Sequence, residues 1–129
     1  MNILYVCIEN SNRSQMAEAF THIHSGSDVK AYSAGSKPSG VINPRAIKSM
    51  AKRSYDLSAH DSVSLNDLPD VEWDYIVSMG CGEKCPWLPA KHRIEWDVQD
   101  PKAMDEEEFD EIRNFIENQV LQLLKQIHK

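Results

Sequence analysis

Short apolar runs alternate along this chain with segments whose apolar residues recur at helical spacing. The runs predict four strands, at residues 3–6, 29–33, 75–79 and 93–96. The first run, Ile3-Leu4-Tyr5-Val6, is apolar without interruption, as expected for a strand covered on both faces in a parallel sheet. The pattern therefore predicts a buried sheet.

Helices are predicted between and after these strands. The first begins near Ser14 and places Met16, Phe20 and Ile23 on one face. Start signals precede two later helices: the cap-and-proline pair Asn43-Pro44, and a capping box formed by Asp105 with Glu108. The last helix carries a long apolar stripe made of Phe109, Ile112, Ile116, Val120, Leu123, Leu124 and Ile127. Residues 55–69 predict a short strand or a turn of helix over the sheet.

Strands alternating with helices predict an α/β fold: one domain, residues 1–129, with a four-stranded, mainly parallel sheet and helices on both faces. Ligands bind such sheets beyond the carboxyl ends of the strands. Cys7, Cys81 and Asp100 each follow a predicted strand directly or closely. We therefore expect these three side chains at one rim of the sheet.

The first strand runs into a polar loop that begins with Cys7, ends with Arg13 and opens the first helix. A loop in this position directs backbone N–H groups and the positive end of the helix dipole at one point. Arg13 can bind two oxygens of an anion through its planar guanidinium, and Cys7 lies in the same positive field. The expected oxyanion-binding loop comprises Ile8, Glu9, Asn10, Ser11, Asn12 and Arg13.

The same field favours the thiolate of Cys7, which is the nucleophilic form of a cysteine. Ser14 can donate a hydroxyl hydrogen bond to the sulfur and stabilise the thiolate further. Asn10 can hold the shape of the loop, because its side chain can bridge backbone groups within a turn. The loop thus predicts a nucleophile, an anion-binding arginine and a supporting serine.

Composition restricts the remaining possibilities. An apolar content of 41% and a charged content of 26% are typical of a soluble globular protein. No apolar stretch reaches membrane-spanning length and no signal-peptide core is found, so a cytoplasmic protein is expected. A net charge of -6 argues against nucleic-acid binding. An odd number of cysteines, three, favours catalytic or metal-binding thiols over structural disulfides.

Cys81 and Cys85 form a second chemical cluster, in a glycine-flanked loop. A redox pair that oxidises to a disulfide is favoured, because this loop leaves the sheet on the same rim as Cys7. A zinc pair is an alternative, with His60, His92 or Cys7 as further ligands. Two unrelated small residues are the third interpretation.

The stretch from residue 6 to residue 20 resembles the phosphate loop of the low-molecular-weight protein tyrosine phosphatases. It is more similar to their relatives, the thiol-dependent arsenate reductases, because Gln15-Met16-Ala17-Glu18 follows Arg13-Ser14. The similarity continues through Tyr32-Ser33-Ala34-Gly35, Asn43-Pro44-Arg45-Ala46-Ile47, Ser58-Ala59-His60, Ser78-Met79-Gly80-Cys81-Gly82 and Trp96-Asp97-Val98-Gln99-Asp100-Pro101. It spans nearly the whole chain and implies the low-molecular-weight phosphatase fold.

Resemblance to the thioredoxin-coupled members implies a reaction sequence. Cys7 would form a covalent adduct with arsenate, Cys81 would attack Cys7 and release arsenite, and Cys85 would then move the disulfide to Cys81–Cys85. Thioredoxin or a low-molecular-weight thiol would be the reductant, with no tightly bound cofactor. Asp100 matches the family's general acid, with Asp97 as the fallback.

The resemblance also keeps other interpretations open. A phosphatase acting on phosphotyrosine or aryl phosphates would use the same cysteine and aspartate, although Lys102 stands where such phosphatases usually have an aromatic residue. An anion-binding or redox-sensing module without turnover is a third hypothesis. Some reductases bind potassium beside the loop, and Asn10, Glu18 and Ser33 match the positions used there. A monomer without nucleic-acid or membrane partners is expected.

Overall fold

The computed structural model of the chain describes residues 1–80 and 88–128. These residues form a four-stranded sheet of order β2-β1-β3-β4, in which every pairing of neighbouring strands is parallel. The strands are β1 (Asn2–Cys7), β2 (Lys30–Gly35), β3 (Trp73–Met79) and β4 (Ala90–Trp96). Because the strands are parallel, their carboxyl ends meet at one edge, and the site is built there.

All four strands are longer than the sequence pattern predicts; β1 gains one residue at each end, and β3 begins two residues earlier. β2 continues through Ala34 and Gly35, which pair with Val6 and Cys7 of β1. β4 begins at Ala90 rather than at residue 93, because Ala90 pairs with Trp73 of β3. The added residues of β4 belong to an edge strand and are largely polar, so hydrophobicity did not reveal them.

Three helices follow the predicted starts closely: α1 (Arg13–His24), α2 (Pro44–Ala51) and α3 (Glu106–Ile127). The Asn43 side chain accepts a hydrogen bond from the Arg45 backbone N–H at 2.9 Å. The Asp105 side chain accepts one from the Glu108 N–H at 2.8 Å, which is the N-cap half of the predicted capping box. None of the described helices is long and apolar enough to span a membrane.

The two faces of the sheet are covered differently. Ile3, Tyr5 and Cys7 of β1 join one core cluster with buried residues of all three helices. Leu4 and Val6 point to the other face, which is packed by loop residues and a short 3-10 helix, Leu65–Asp67. Alternate residues of β1 therefore contact separate cores, which explains its uninterrupted apolar sequence.

Two sequence expectations are refined by the packing. Ile23, which the pattern places on one face with Met16 and Phe20, is 41% exposed, whereas those two residues are fully buried. The reason is that burial of α1 ends at Thr21, and the whole last turn, residues 22–24, faces solvent. Residues 55–69 contain the 3-10 helices Leu57–Ala59 and Leu65–Asp67 and one bridge between Gly35 and Ser64.

Candidate active site

A small cavity of about 70 Å³ lies at the carboxyl edge of the sheet, at the N-terminus of α1. It is lined by Cys7, Ile8, Glu9, Ser11, Asn12, Arg13 and Asp100. Cys7 ends β1, and Asp100 follows β4 after a short connection. The structure therefore brings the predicted nucleophile, loop arginine and candidate acid to one cavity.

Asn10 holds the loop in its bent shape. It is fully buried and adopts a positive φ of 51°, a conformation that asparagine tolerates better than most residues. Its Oδ1 accepts hydrogen bonds from the Val63 backbone N–H at 2.7 Å and from Gln15 Nε2 at 2.9 Å. Its Nδ2 donates to Ser14 Oγ at 2.8 Å. The predicted role of Asn10 in shaping the loop is supported by all three contacts.

The Cys7 sulfur and the Ser14 hydroxyl lie within hydrogen-bond distance. The two atoms, Cys7 Sγ and Ser14 Oγ, are 2.8 Å apart and buried. Because Ser14 Oγ accepts the hydrogen bond from Asn10 Nδ2, its own proton is free to be donated to the sulfur. A donor aimed at the sulfur stabilises the thiolate over the thiol.

Arg13 is held in place by the segment after β4. Its Nη1 donates to the Val98 carbonyl at 3.0 Å, and its Nη2 lies 3.9 Å from Asp100 Oδ2. Arg13 is only 7% exposed, so the guanidinium is packed rather than free in solvent. A guanidinium fixed in this way is already oriented for an oxyanion, which lowers the entropy lost on binding.

Two glycines let neighbouring backbone approach the loop. A Cβ at Gly35 would lie 2.6 Å from the Ile8 carbonyl oxygen, and a Cβ at Gly80 would lie 2.1 Å from Arg13 Nη1. Gly80 also has a φ of 75°, in the left-handed region. The sequence carries no signal for either close approach, because Gly35 ends a strand and Gly80 follows one, and neither position says which segment packs against it.

Gln15 and His60 form a support behind the loop that sequence reasoning missed. Gln15 Nε2 donates to the Asn10 carbonyl at 3.1 Å and to the Asp61 carbonyl at 2.8 Å. Gln15 Oε1 lies 2.9 Å from His60 Nδ1, and His60 Nε2 lies 2.6 Å from the Tyr55 hydroxyl. The sequence offered His60 only as a possible zinc ligand with Cys81 and Cys85, so its contact with Gln15 was not predicted.

Two carboxylates, those of Glu9 and Asp100, line the cavity, and each contacts Lys102. Asp100 is exposed, and its Oδ1 accepts a hydrogen bond from the Lys102 N–H at 3.0 Å, which fixes the start of a 3-10 helix, Pro101–Ala103. Lys102 Nζ lies 3.2 Å from Glu9 Oε1. Asp97 is not among the residues that line the cavity. The geometry therefore favours Asp100 over Asp97 as the acid.

The residues named for the zinc alternative are not brought together with Cys7 in the part of the chain that the structure describes. Cys81 and Cys85 lie outside the described residues. His60 lies behind the loop and His92 stacks on Tyr75 at 4.7 Å between ring centroids, so neither lines the cavity with Cys7.

Two of the three residues offered for potassium, Glu18 and Ser33, contact each other through their side chains. Ser33 Oγ donates to Glu18 Oε1 at 2.8 Å, whereas the side chain of Asn10 is engaged within the loop. The potassium site stays a prediction.

Comparison with known proteins agrees with this geometry. The profile of the low molecular weight phosphotyrosine protein phosphatase family matches residues 2–129. The chain belongs to this family.

Among its relatives, arsenate reductase 1 of Staphylococcus epidermidis is 38% identical over 118 residues, which is 88% of each chain. A solved arsenate reductase in the phosphate binding state has a TM-score of 0.88 at 29% identity and covers 98% of both chains. The thioredoxin-dependent arsenate reductase of Corynebacterium glutamicum has a TM-score of 0.79 at 30% identity, covering 98% of this chain and 61% of that one.

Proposed function

We propose that this protein reduces arsenate to arsenite, with Cys7 as the nucleophile. The observation that carries the proposal is the buried Cys7 sulfur 2.8 Å from Ser14 Oγ, in a cavity that Arg13 also lines. Similarity to several arsenate reductases supports this substrate within a family that also contains phosphatases.

The size and lining of the cavity support a bare oxyanion as the substrate. Its volume of about 70 Å³ is far below that of typical sites for drug-sized ligands, about 300–1,000 Å³. The described residues that line it include no aromatic side chain that could contact a phosphotyrosine ring. Glu9, which lines the cavity, pairs with Lys102, so this part of the cavity wall is polar rather than aromatic.

In the first step, the Cys7 thiolate attacks the arsenic of arsenate. A sulfur–arsenic bond forms, and one arsenate oxygen leaves as water after it is protonated. Asp100 is our candidate for the proton donor, because it lines the cavity beside Arg13. Arg13 and the N-terminus of α1 would stabilise the negative charge on the remaining oxygens.

In the second step, the Cys81 thiolate would attack the Cys7 sulfur. A Cys7–Cys81 disulfide forms, the sulfur–arsenic bond breaks, and its electron pair reduces arsenic from the +5 to the +3 state, which is released as arsenite. The Cys85 thiolate would then attack Cys81, forming a Cys81–Cys85 disulfide and regenerating the Cys7 thiolate. A reductant, either one dithiol such as thioredoxin or two equivalents of a low-molecular-weight thiol, would supply the two electrons that close the cycle.

A thiol double mutant distinguishes reduction from phosphoester hydrolysis. Replacing Cys81 and Cys85 by Ser should abolish arsenate turnover, because no resolving thiol remains, and should leave aryl-phosphate hydrolysis largely unchanged. Cys7→Ser is the matched control and should abolish both activities. Arsenate turnover equal to wild type in the double mutant would refute the intramolecular relay. Hydrolysis of aryl phosphates by wild type, without arsenate reduction by any thiol system, would favour the phosphatase function instead.

A single-turnover experiment identifies the reductant. Arsenate added to the reduced protein without other thiols should release one arsenite per chain and leave a Cys81–Cys85 disulfide in a peptide map. Thioredoxin with its reductase should then sustain turnover. If Cys85 is still free after the turnover, the three-thiol cascade is excluded, and a low-molecular-weight thiol must attack the Cys7 adduct directly.

A further inference from the structure

Three side chains with metal-ligating atoms converge on the far side of the phosphate loop from the cavity. Glu18 and His22 lie one turn apart on α1, and His60 follows the 3-10 helix Leu57–Ala59. Their ligand atoms all lie within 4.8 Å of one another. Glu18 Oε2 is 3.2 Å from His22 Nε2 and 3.4 Å from His60 Nδ1.

The two separations from Glu18 Oε2, 3.2 and 3.4 Å, are close to the edges of a small coordination tetrahedron, and the ligand nitrogens of the two histidines lie within 4.8 Å of each other. Zinc ligands lie about 2.0–2.2 Å from the metal, so two ligand atoms of a tetrahedral site are about 3.3–3.6 Å apart. We propose that Glu18, His22 and His60 bind a divalent transition-metal cation, with Zn²⁺ as the representative ion. Two imidazole nitrogens and one carboxylate suit such a cation. An alkali cation would instead require oxygen ligands.

Neighbouring residues orient two of the proposed ligands, His60 and Glu18. His60 is partly buried, and its Nδ1 lies 3.4 Å from Glu18 Oε2, so this ring nitrogen faces the carboxylate. Ser33 Oγ donates to Glu18 Oε1 at 2.8 Å, which leaves Oε2 facing the two histidines. Outer contacts of this kind orient the ligands of metal sites.

Ligation exchanges one hydrogen bond for a metal bond. Without a metal, a proton on His60 Nδ1 can be donated to Gln15 Oε1 at 2.9 Å. With a metal on Nδ1, the proton must reside on Nε2, where the Tyr55 hydroxyl oxygen lies 2.6 Å away and can accept it. The change needs no large movement of His60. Because Gln15 supports Asn10 at 2.9 Å, the phosphate loop lies directly beyond the proposed site.

Calorimetric titration with Zn²⁺ alone tests the proposal. Cys7, Cys81 and Cys85 are replaced by Ser in every protein titrated, because thiolates would bind zinc themselves. We expect saturable binding of one Zn²⁺ per chain. The Co²⁺-loaded protein should show the intense visible absorption of tetrahedral coordination.

His22→Gln is the decisive variant, because its side chain is 42% exposed and its loss should not impair folding. It should weaken Zn²⁺ binding by at least about 10–100-fold, the range measured even for outer contacts of metal sites. His92→Gln, on β4, is the matched control and should leave the affinity unchanged. Absence of saturable binding, or equal affinity of the cysteine-free protein with and without His22→Gln, would overturn the proposal. So would a loss of affinity of the same size in His92→Gln.

Discussion

Replacing Gly80 by Ala should displace Arg13 and disable the oxyanion site. The new Cβ would lie 2.1 Å from Arg13 Nη1 and 2.9 Å from Cζ, well inside van der Waals contact. Arg13 is only 7% exposed and its Nη1 is fixed on the Val98 carbonyl at 3.0 Å, so the guanidinium cannot yield without losing this hydrogen bond.

Two contributions set the expected loss of stability in Gly80→Ala. Alanine in the left-handed region, where Gly80 has a φ of 75°, costs roughly 1–2 kcal/mol. Loss of the charged hydrogen bond from Arg13 to Val98 adds about 1.5–3 kcal/mol. The free energy of unfolding should therefore fall by about 2.5–5 kcal/mol. With its donor displaced, kcat/KM for the oxyanion substrate should fall by about 10²–10³-fold.

Gly40→Ala is the matched control. Gly40 has a φ of 84°, but a Cβ there meets no atom within 4 Å, so this variant carries the backbone strain without the clash. Urea unfolding should show a loss of about 1–2 kcal/mol, and activity should be nearly unchanged.

The assay for Gly80→Ala uses hydrolysis of an aryl phosphate and protection of Cys7 by phosphate against iodoacetamide. Neither readout requires Cys81 or Cys85. If Gly80→Ala keeps activity within about twofold of Gly40→Ala, the steric argument about Arg13 is wrong.

Three further substitutions test other parts of the site. Gly35→Ala should lower the free energy of unfolding, measured in urea, by about 1–3 kcal/mol. The reason is that its Cβ would lie 2.6 Å from the Ile8 carbonyl oxygen, so the loop must shift. Gly26→Ala is the control and should cost less, because the nearest atom to its Cβ would be 3.3 Å away. Arg13→Lys should lower kcat/KM for arsenate about 10²-fold with an unchanged circular dichroism spectrum, since an ammonium lacks the planar pair of donors. Burial lowers the pKa of His60 below its usual 6.5, so the unfolded chain binds a proton that the folded protein resists; stability from His60 should be present above about pH 6.5 and be lost as pH falls.

The comparison that isolates the pH effect is between wild type and His60→Gln in urea at about pH 8 and about pH 5. The charged groups around His60 are Glu18, His22, Asp56 and Asp61, and they are the same in both proteins. The stability advantage of wild type should therefore shrink as pH falls. A constant advantage across this range would contradict the reasoning.

The sequence by itself determined the parts of this protein whose geometry is local. Cys7, Arg13 and Ser14 lie within eight consecutive residues, and a strand, a tight loop and a helix fix how such residues face each other. The uninterrupted apolar run of β1 likewise reports a strand buried on both faces, because that burial excludes polar side chains at every position. The helix caps at Asn43 and Asp105 are also local, and both were predicted correctly.

Only the tertiary structure decided which distant segments touch the loop. Arg13 is held by a backbone carbonyl 85 residues away, and a carbonyl carries no signal in the sequence. The closeness of Gly80 to Arg13 depends on β3 pairing directly with β1, which hydrophobic periodicity cannot specify. His60 meets Gln15 and Glu18 for the same reason: periodicity reports that a residue is buried, whereas the partners of a buried polar group are set by packing between elements far apart in the chain.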